Sequence, residues 1–298
     1  MTRESSTHVQ SLVGSNQLSF YLKCLKSLIA NSVEKLELLL HSDGSLTDKD
    51  KKDIFSCFPD STVKLVESDN SKQKTLDFLE GRPNCQKVRR ESIWGIEFFD
   101  PLFAIPTDPV SFYIDADILF LRPFQGLFNH SKVEESAIFI RDIQWDAYSL
   151  RPWHLCGFRK KPKIVKGITT AMVFWDKRAI DWDYLEWFLG QTHLHAIPEW
   201  ILPTAQAGLA NKCDAKTVCH KQVQNLYPNT RIDDQTFAVH LLGSYRKEWL
   251  NKVDKYKRNI NLPNEIITTK FDSCIPRNFV GYTLNQAKRW RNTRLNSW

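Results

Sequence analysis

The run Phe112-Tyr113-Ile114-Asp115-Ala116-Asp117-Ile118-Leu119-Phe120 places two carboxylates one residue apart inside an otherwise apolar segment. In an extended chain alternate residues share a side, so Asp115 and Asp117 can reach one cation. Two like charges at that spacing repel, and burying them without a counter-ion is costly. A hard divalent ion, Mg²⁺ or Mn²⁺, removes that cost and can itself hold a diphosphate. Solvated turn acids are the competing reading, and the apolar residues on both sides argue against it. A second acidic turn, His41-Ser42-Asp43-Gly44-Ser45, follows the apolar run Lys35–Leu40. There Gly44 supplies backbone freedom, and Asp43 can accept from a base N–H or a ribose hydroxyl. An ordinary Asx turn into the next helix is the alternative. Late in the chain His240 stands either as a core histidine or as a ligand, since neutral imidazole suits Mn²⁺. Gly243 and Lys247 follow it, offering a backbone approach and a cation to a phosphate.

The elements that must position these residues alternate in type. Leu18, Leu22, Leu25 and Ile29 recur at helical spacing over residues 17–30. Strands are expected at Lys35–Leu40, Thr62–Val66, Val110–Ile114, Ser136–Ile140, Ile168–Trp175 and Thr236–Leu242. Helices are expected from Thr47-Asp48 through Phe55, and at Glu91–Phe99, Asp181–Leu189 and Glu199–Ala210. This order predicts an α/β fold with a mainly parallel sheet and helices on both faces. Ligands in such sheets sit beyond the carboxyl ends of the strands, where Asp43 and Asp115 both fall.

Tyr113-Ile114-Asp115-Ala116-Asp117-Ile118-Leu119-Phe120 resembles the DXD motif of nucleotide-sugar-dependent glycosyltransferases of the GT-A fold, a Rossmann-like architecture. Tyr21-Leu22-Lys23-Cys24-Leu25-Lys26-Ser27-Leu28, the Asp43-Gly44-Ser45 turn and Val239-His240-Leu241-Leu242-Gly243 follow the same family order. The resemblance spans roughly residues 17 to 250. It implies transfer of a sugar from a nucleoside-diphosphate-sugar donor to an acceptor hydroxyl, with Asp115, Asp117 and His240 holding the metal. It further implies donor contacts from Asp43, Arg90, Asp115, Gly243 and Lys247. The sequence also departs from the family. Glu97 stands where a lysine is expected, and Gly167-Ile168-Thr169-Thr170 replaces an Asn-Ser-Gly stretch, keeping only the Thr170 hydroxyl in kind. Leu202-Pro203 replaces an acid-Gln pair before Thr204. Asp142 and Glu199 are the carboxylates left as candidates for catalysis.

Three other functions fit parts of the sequence. A haloacid-dehalogenase-type phosphatase also begins with Asp-x-Asp after a strand, with Asp233-Asp234 as its later metal pair and Thr169 as its phosphate hydroxyl. A basic nucleic-acid-binding protein fits the net charge of +7, and the departures from the family pattern leave room for a transferase relative that binds a donor without turnover. No recognised nucleic-acid motif is present, so no nucleic-acid partner is expected. The His193, His195, Cys213, Cys219 and His220 region lacks the close pairs of a zinc site.

The chain has 298 residues, 42% hydrophobic and 25% charged, in the ordinary range of globular proteins. With no linker or repeat, residues 1–260 read as one transferase-like domain and 261–298 as a basic aromatic tail. From Pro276 to Trp298 five cations alternate with aromatic residues and no acid. Such a tail either docks back on the domain or associates weakly with a membrane surface, suiting a glycan, lipid-linked or protein acceptor. The polar N-terminal residues and seven scattered cysteines suggest a cytoplasmic protein, peripheral at the membrane if the tail binds there.

Overall fold

The computed structural model describes residues 6–58, 62–128, 136–142, 163–191, 200–256 and 263–271, with residues 280, 283, 284 and 287. Strand β1 (Thr7–Val13), helix α1 (Leu18–Asn31), β2 (Leu36–Ser42), α2 (Asp48–Cys57) and β3 (Val63–Val66) form an N-terminal parallel unit. Helices α3 (Ser68–Phe78), α4 (Pro83–Glu91) and α5 (Ile93–Phe103) lead into β4 (Val110–Ile114). Then come β5 (Ile118–Phe120), β6 (Phe124–Gln125), β7 (Ala137–Arg141) and β8 (Ile168–Asp176). Helices α6 (Trp182–Leu189) and α7 (Ile201–Lys212) precede β9 (Lys216–Val218), β10 (Val223–Asn225) and β11 (Ala238–His240). Helix α8 (Arg246–Leu250), β12 (Asn264–Glu265) and β13 (Thr268–Lys270) close the described chain.

The central sheet runs β13-β9-β7-β8-β4-β1-β2-β3. It is parallel from β4 through β3, as the helical crossovers require. Its other half is mixed, because β8 lies antiparallel to both β4 and β7. A small second sheet, β10-β11-β5, branches from the end of β4. Strands β12 and β13 join β6 and β9, so sheet pairing continues past residue 260 into the segment that composition groups with the tail. Among residues 272–298, which carry the aromatic and basic residues of the tail, only four are described, and the membrane-surface expectation lies outside the described residues.

Side-chain alternation along the strands fills a core on each face of the sheet. Phe112, Ile114, Met172 and Phe174 pack with Leu22, Leu25 and Leu28 of α1 and Ile54 of α2. Tyr113, Val173 and Trp175 face the other way, against Phe98, Phe99, Leu185, Phe188 and Ala207 of α5, α6 and α7. Helix α2 starts on a capping box, with Thr47 accepting from the Asp50 amide and Asp50 accepting from the Thr47 amide. The single helix expected over Glu91–Phe99 is two, because the chain is extended at Ser92 between α4 and α5.

The middle strand β1 carries buried polar residues and went unread in the sequence. Gln10 donates to the Pro101 carbonyl at 2.7 Å and the Ser111 hydroxyl at 3.1 Å, and pairs with His41 at 2.9 Å. Beside this network Arg89 and Asp100 form a buried ion pair, which the Ser71 and Thr75 hydroxyls also reach. With these partners made, the polar strand can occupy the centre of the sheet.

Candidate active site

Strand β4 ends at Ile114, and the chain turns there instead of continuing extended. The Asp115 amide donates to the Ala171 carbonyl at 2.6 Å, and the Ile118 amide closes the turn on the Asp115 carbonyl at 3.2 Å. Strand β5 then pairs antiparallel with β11 in a register that sets His240 opposite Ile118. The Leu241 amide donates to the Asp117 carbonyl at 3.1 Å and pins the two segments together. One ligand atom each from Asp115, Asp117 and His240 therefore lies within 4.8 Å of the others. His240 Nε2 stands 3.2 Å from Asp117 Oδ1 and 3.9 Å from Asp115 Oδ2.

The electrostatics of this corner call for a cation. Asp117 Oδ1 is buried and, among the described residues, faces only the His240 ring nitrogen, which fits a metal-facing carboxylate oxygen. Burial, followed by the Asp117 charge, raises the Asp115 carboxyl to about 7. Burial pushes Asp117 the same way, but His240 and Arg246 hold it below the usual carboxylate range. Glu97, on α5, adds a third carboxylate and is raised well above its ordinary value by burial and by Asp115. It accepts from the Thr170 hydroxyl at 3.3 Å. Burial opposes charge on His240, yet Asp117, Asp115 and Asp142 together raise its pKa. Two oxygens and an imidazole nitrogen suit Mn²⁺ well, and a divalent ion would discharge the acid cluster.

Arg246, overlooked in favour of its neighbour Lys247, is the cation that reaches the site. Its guanidinium donates to Asp117 Oδ2 at 2.5 Å, to the Leu241 carbonyl at 3.2 Å and to Gln17 Oε1. It also stacks over Phe20, 4.7 Å from the ring centroid. Lys247 is exposed on α8. Adjacent cations look alike in a sequence, and only the start of α8 at Arg246 separates them. Gly243 is exposed, and no atom lies within 4 Å of where a Cβ would stand, so a ligand can approach its backbone.

The nucleoside-side candidate, Asp43, follows β2 and donates its amide to the Val13 carbonyl at 3.0 Å. Asp43 Oδ1 accepts from the Ser45 amide at 2.8 Å and the Ser45 hydroxyl at 2.6 Å, with Gly44 at φ 93°. Gly14, at the end of β1, leaves room for this carboxylate, since a Cβ there would lie 2.0 Å from Asp43 Oδ2. Because β1 lies between β4 and β2, both parallel to it, Asp43 and Asp115 leave the same edge of the sheet.

The other expected residues fall elsewhere. Arg90 lies exposed on α4 and donates to Gln86 at 3.2 Å, while its neighbour Arg89 turns inward to Asp100. Asp142 accepts from Asn225 Nδ2 at 2.9 Å and from the Tyr227 hydroxyl. It helps line a cleft of about 340 Å³ with Arg141, Lys221, Tyr227 and Arg231. Glu199, like His193 and His195, lies outside the described residues. Asp233 and Asp234, weighed as a phosphatase metal pair, serve local structure. Asp233 accepts from the Gln235 amide, and the Asp234 carbonyl accepts from buried Arg122. The Asp115, Asp117 and His240 group contains neither of them.

No protein-family model matches the sequence, and no curated protein matches it significantly. Solved structures do match. The apo crystal structure of mouse xyloside xylosyltransferase 1 is 10% identical, with a TM-score of 0.51 over 79% of this chain and 97% of that one. The apo structure of the bifunctional glycosyltransferase WbbM is 11% identical, with a TM-score of 0.50 over 85% of this chain. The match covers 50% of the WbbM chain. These likenesses show the fold, which is the GT-A type of glycosyltransferases.

Proposed function

We propose that the protein is a metal-dependent glycosyltransferase that moves a sugar from a nucleoside-diphosphate donor to an acceptor hydroxyl. The observation that carries this reading is the convergence of Asp115, Asp117 and His240, with a buried Asp117 oxygen that faces only the His240 ring among the described residues, at the strand-end edge of a GT-A sheet. When bound there, Mn²⁺ or Mg²⁺ supplies Lewis-acid stabilisation of the departing diphosphate. Asp43 and the Gly14 corner hold the nucleoside. Arg246 contributes a positive charge beside Asp117, and a guanidinium is suited to diphosphate oxygens. In the transfer the C1–oxygen bond to the diphosphate breaks, with its electron pair leaving on the diphosphate. The acceptor hydroxyl oxygen bonds to C1, and the hydroxyl proton is released.

The cleft beside Asp142 is our candidate for the acceptor, whether a free, lipid-linked or protein-borne glycan, because Asn225 lines it and also contacts His240. Among the described residues no helix is long and apolar enough to cross a membrane. Peripheral membrane binding through the tail, and a cytoplasmic location, are parts of the same proposal. Loss of liposome co-sedimentation on ending the chain at Ile275 supports the tail's role, and unchanged sedimentation removes it.

A thermal-shift panel of UDP, GDP, CDP and their sugars, with and without Mn²⁺, tests the function. A nucleotide at 100 times its dissociation constant stabilises the fold by about 2.7 kcal/mol. The expected result is a shift for one nucleotide family that requires the metal. No shift with any of them, or equal shifts without metal, overturns the proposal.

A further inference from the structure

His240 can serve a cation at this site only through Nε2, the nitrogen that faces Asp115 and Asp117, and only when Nε2 carries no proton. The other nitrogen, Nδ1, lies 2.9 Å from Asn225 Oδ1. Asn225 ends β10, and the parallel register of β10 and β11 sets it directly beside His240. On its far side Asn225 Nδ2 donates to Asp142 Oδ2 at 2.9 Å, and the Tyr227 hydroxyl donates to the same oxygen. The residue is buried, so its amide has few other partners to choose from.

The direction of this chain follows from what each group can do. An ionised carboxylate only accepts, so Asn225 must turn its NH₂ toward Asp142 and its carbonyl toward His240. That carbonyl only accepts, so Nδ1 must carry the proton. The lone pair is then left on Nε2, aimed at the carboxylates. We infer that Asn225, oriented by Asp142 and Tyr227, is a positioning residue that fixes His240 in its metal-binding tautomer. The inference rests on the metal reading of the Asp115, Asp117 and His240 group. It gives Asp142 an orienting role in place of a catalytic one. Outer partners of metal-bound histidines commonly act in this way.

Mn²⁺ alone, titrated by calorimetry into the full chain at pH 7.5, tests the inference. Asn225→Ala is expected to weaken Mn²⁺ binding by about 10–100-fold. The swap Asn225→Asp with Asp142→Asn keeps an acceptor on Nδ1–H, while the bond between positions 225 and 142 reverses: the new carboxylate accepts from Nδ1–H and from the new amide. Mn²⁺ affinity should return to within about threefold of the wild type, a recovery that orientation explains and packing does not. If wild type binds Mn²⁺ and Asn225→Ala binds it equally well, the positioning role is wrong. A swap that stays as weak as Asn225→Ala also overturns it. A wild-type chain that fails to bind Mn²⁺ instead removes the metal reading on which the inference stands.

Discussion

His41 makes the stability of the fold depend on pH in a defined direction. It is 1% exposed on β2, two residues before Asp43. Gln10 spends its amide on Pro101 and Ser111, so its carbonyl oxygen must accept from His41 Nε2–H. Among the described residues His41 Nδ1 is buried without a hydrogen-bond partner, and a proton placed there would find no acceptor among them. Burial therefore lowers the His41 pKa from 6.5 to about 4, with the Asp100 charge opposing the shift and the Arg89 charge adding to it. The folded-state value lies below the unfolded one, so the unfolded chain takes up the proton first as pH falls. The contribution is fully present above 6.5, is lost progressively below it, and is gone below about 4. At about 1.4 kcal/mol per unit, the whole shift is worth about 3 kcal/mol, of which about 2 kcal/mol disappears between pH 7.5 and 5. Urea unfolding of wild type and His41→Gln at both pH values measures it. Glutamine keeps a donor toward Gln10 and cannot titrate, so its loss on acidification should be smaller by about 2 kcal/mol. Equal losses in the two proteins would refute the assignment of this pH dependence to His41.

Gly14→Ala drives a Cβ into the Asp43 carboxylate and should weaken nucleoside-diphosphate binding about tenfold, read by competition with a fluorescent nucleotide. An unchanged affinity would separate Asp43 from the nucleoside. Arg89→Met leaves Asp100 buried without its counter-ion and should cost about 3–5 kcal/mol in urea unfolding at pH 7.5. A cost below about 1 kcal/mol would show that the pair is not desolvated as described. Arg246→Ala should weaken metal-dependent diphosphate binding about tenfold or more, whereas Lys247→Ala should change it less than about twofold. The reverse ranking would return the role to Lys247.

The parts of the structure that the sequence discloses are those in which local pattern and tertiary demand agree. The apolar run into Asp115 and Asp117, the helical spacing of α1 and the cap at Thr47 all stand where residue type predicts them. Strand β1 was hidden because Gln10 and Ser11 break its apolar pattern. The burial of Gln10 is made tolerable by Pro101 and Ser111, about 90 to 100 residues away in sequence. Helix α3 hides similarly, since its buried face is Ser71 and Thr75, whose partner is Asp100. Strands β5 and β10 are only three residues each, too short for a period to register, whereas β11 falls inside the strand expected at Thr236–Leu242. Yet the pairing of β11 with β5 brings His240 to the aspartates, and that of β10 with β11 places Asn225 behind it. The sequence therefore marks the candidate metal-ligating residue types, while the residues packed behind them emerge only from strand register.

The central claim is that Asp115, Asp117 and His240 form a metal site that makes nucleotide binding metal-dependent. Its most direct test is calorimetric titration of nucleoside diphosphate into wild type and Asp117→Asn, each with Mn²⁺ and with the metal chelated. Asparagine keeps the shape and loses the charge that a divalent ion requires. The account predicts Mn²⁺-dependent binding in the wild type and its loss in Asp117→Asn, with the fold intact by circular dichroism. Metal-dependent binding of equal strength in both proteins would contradict it.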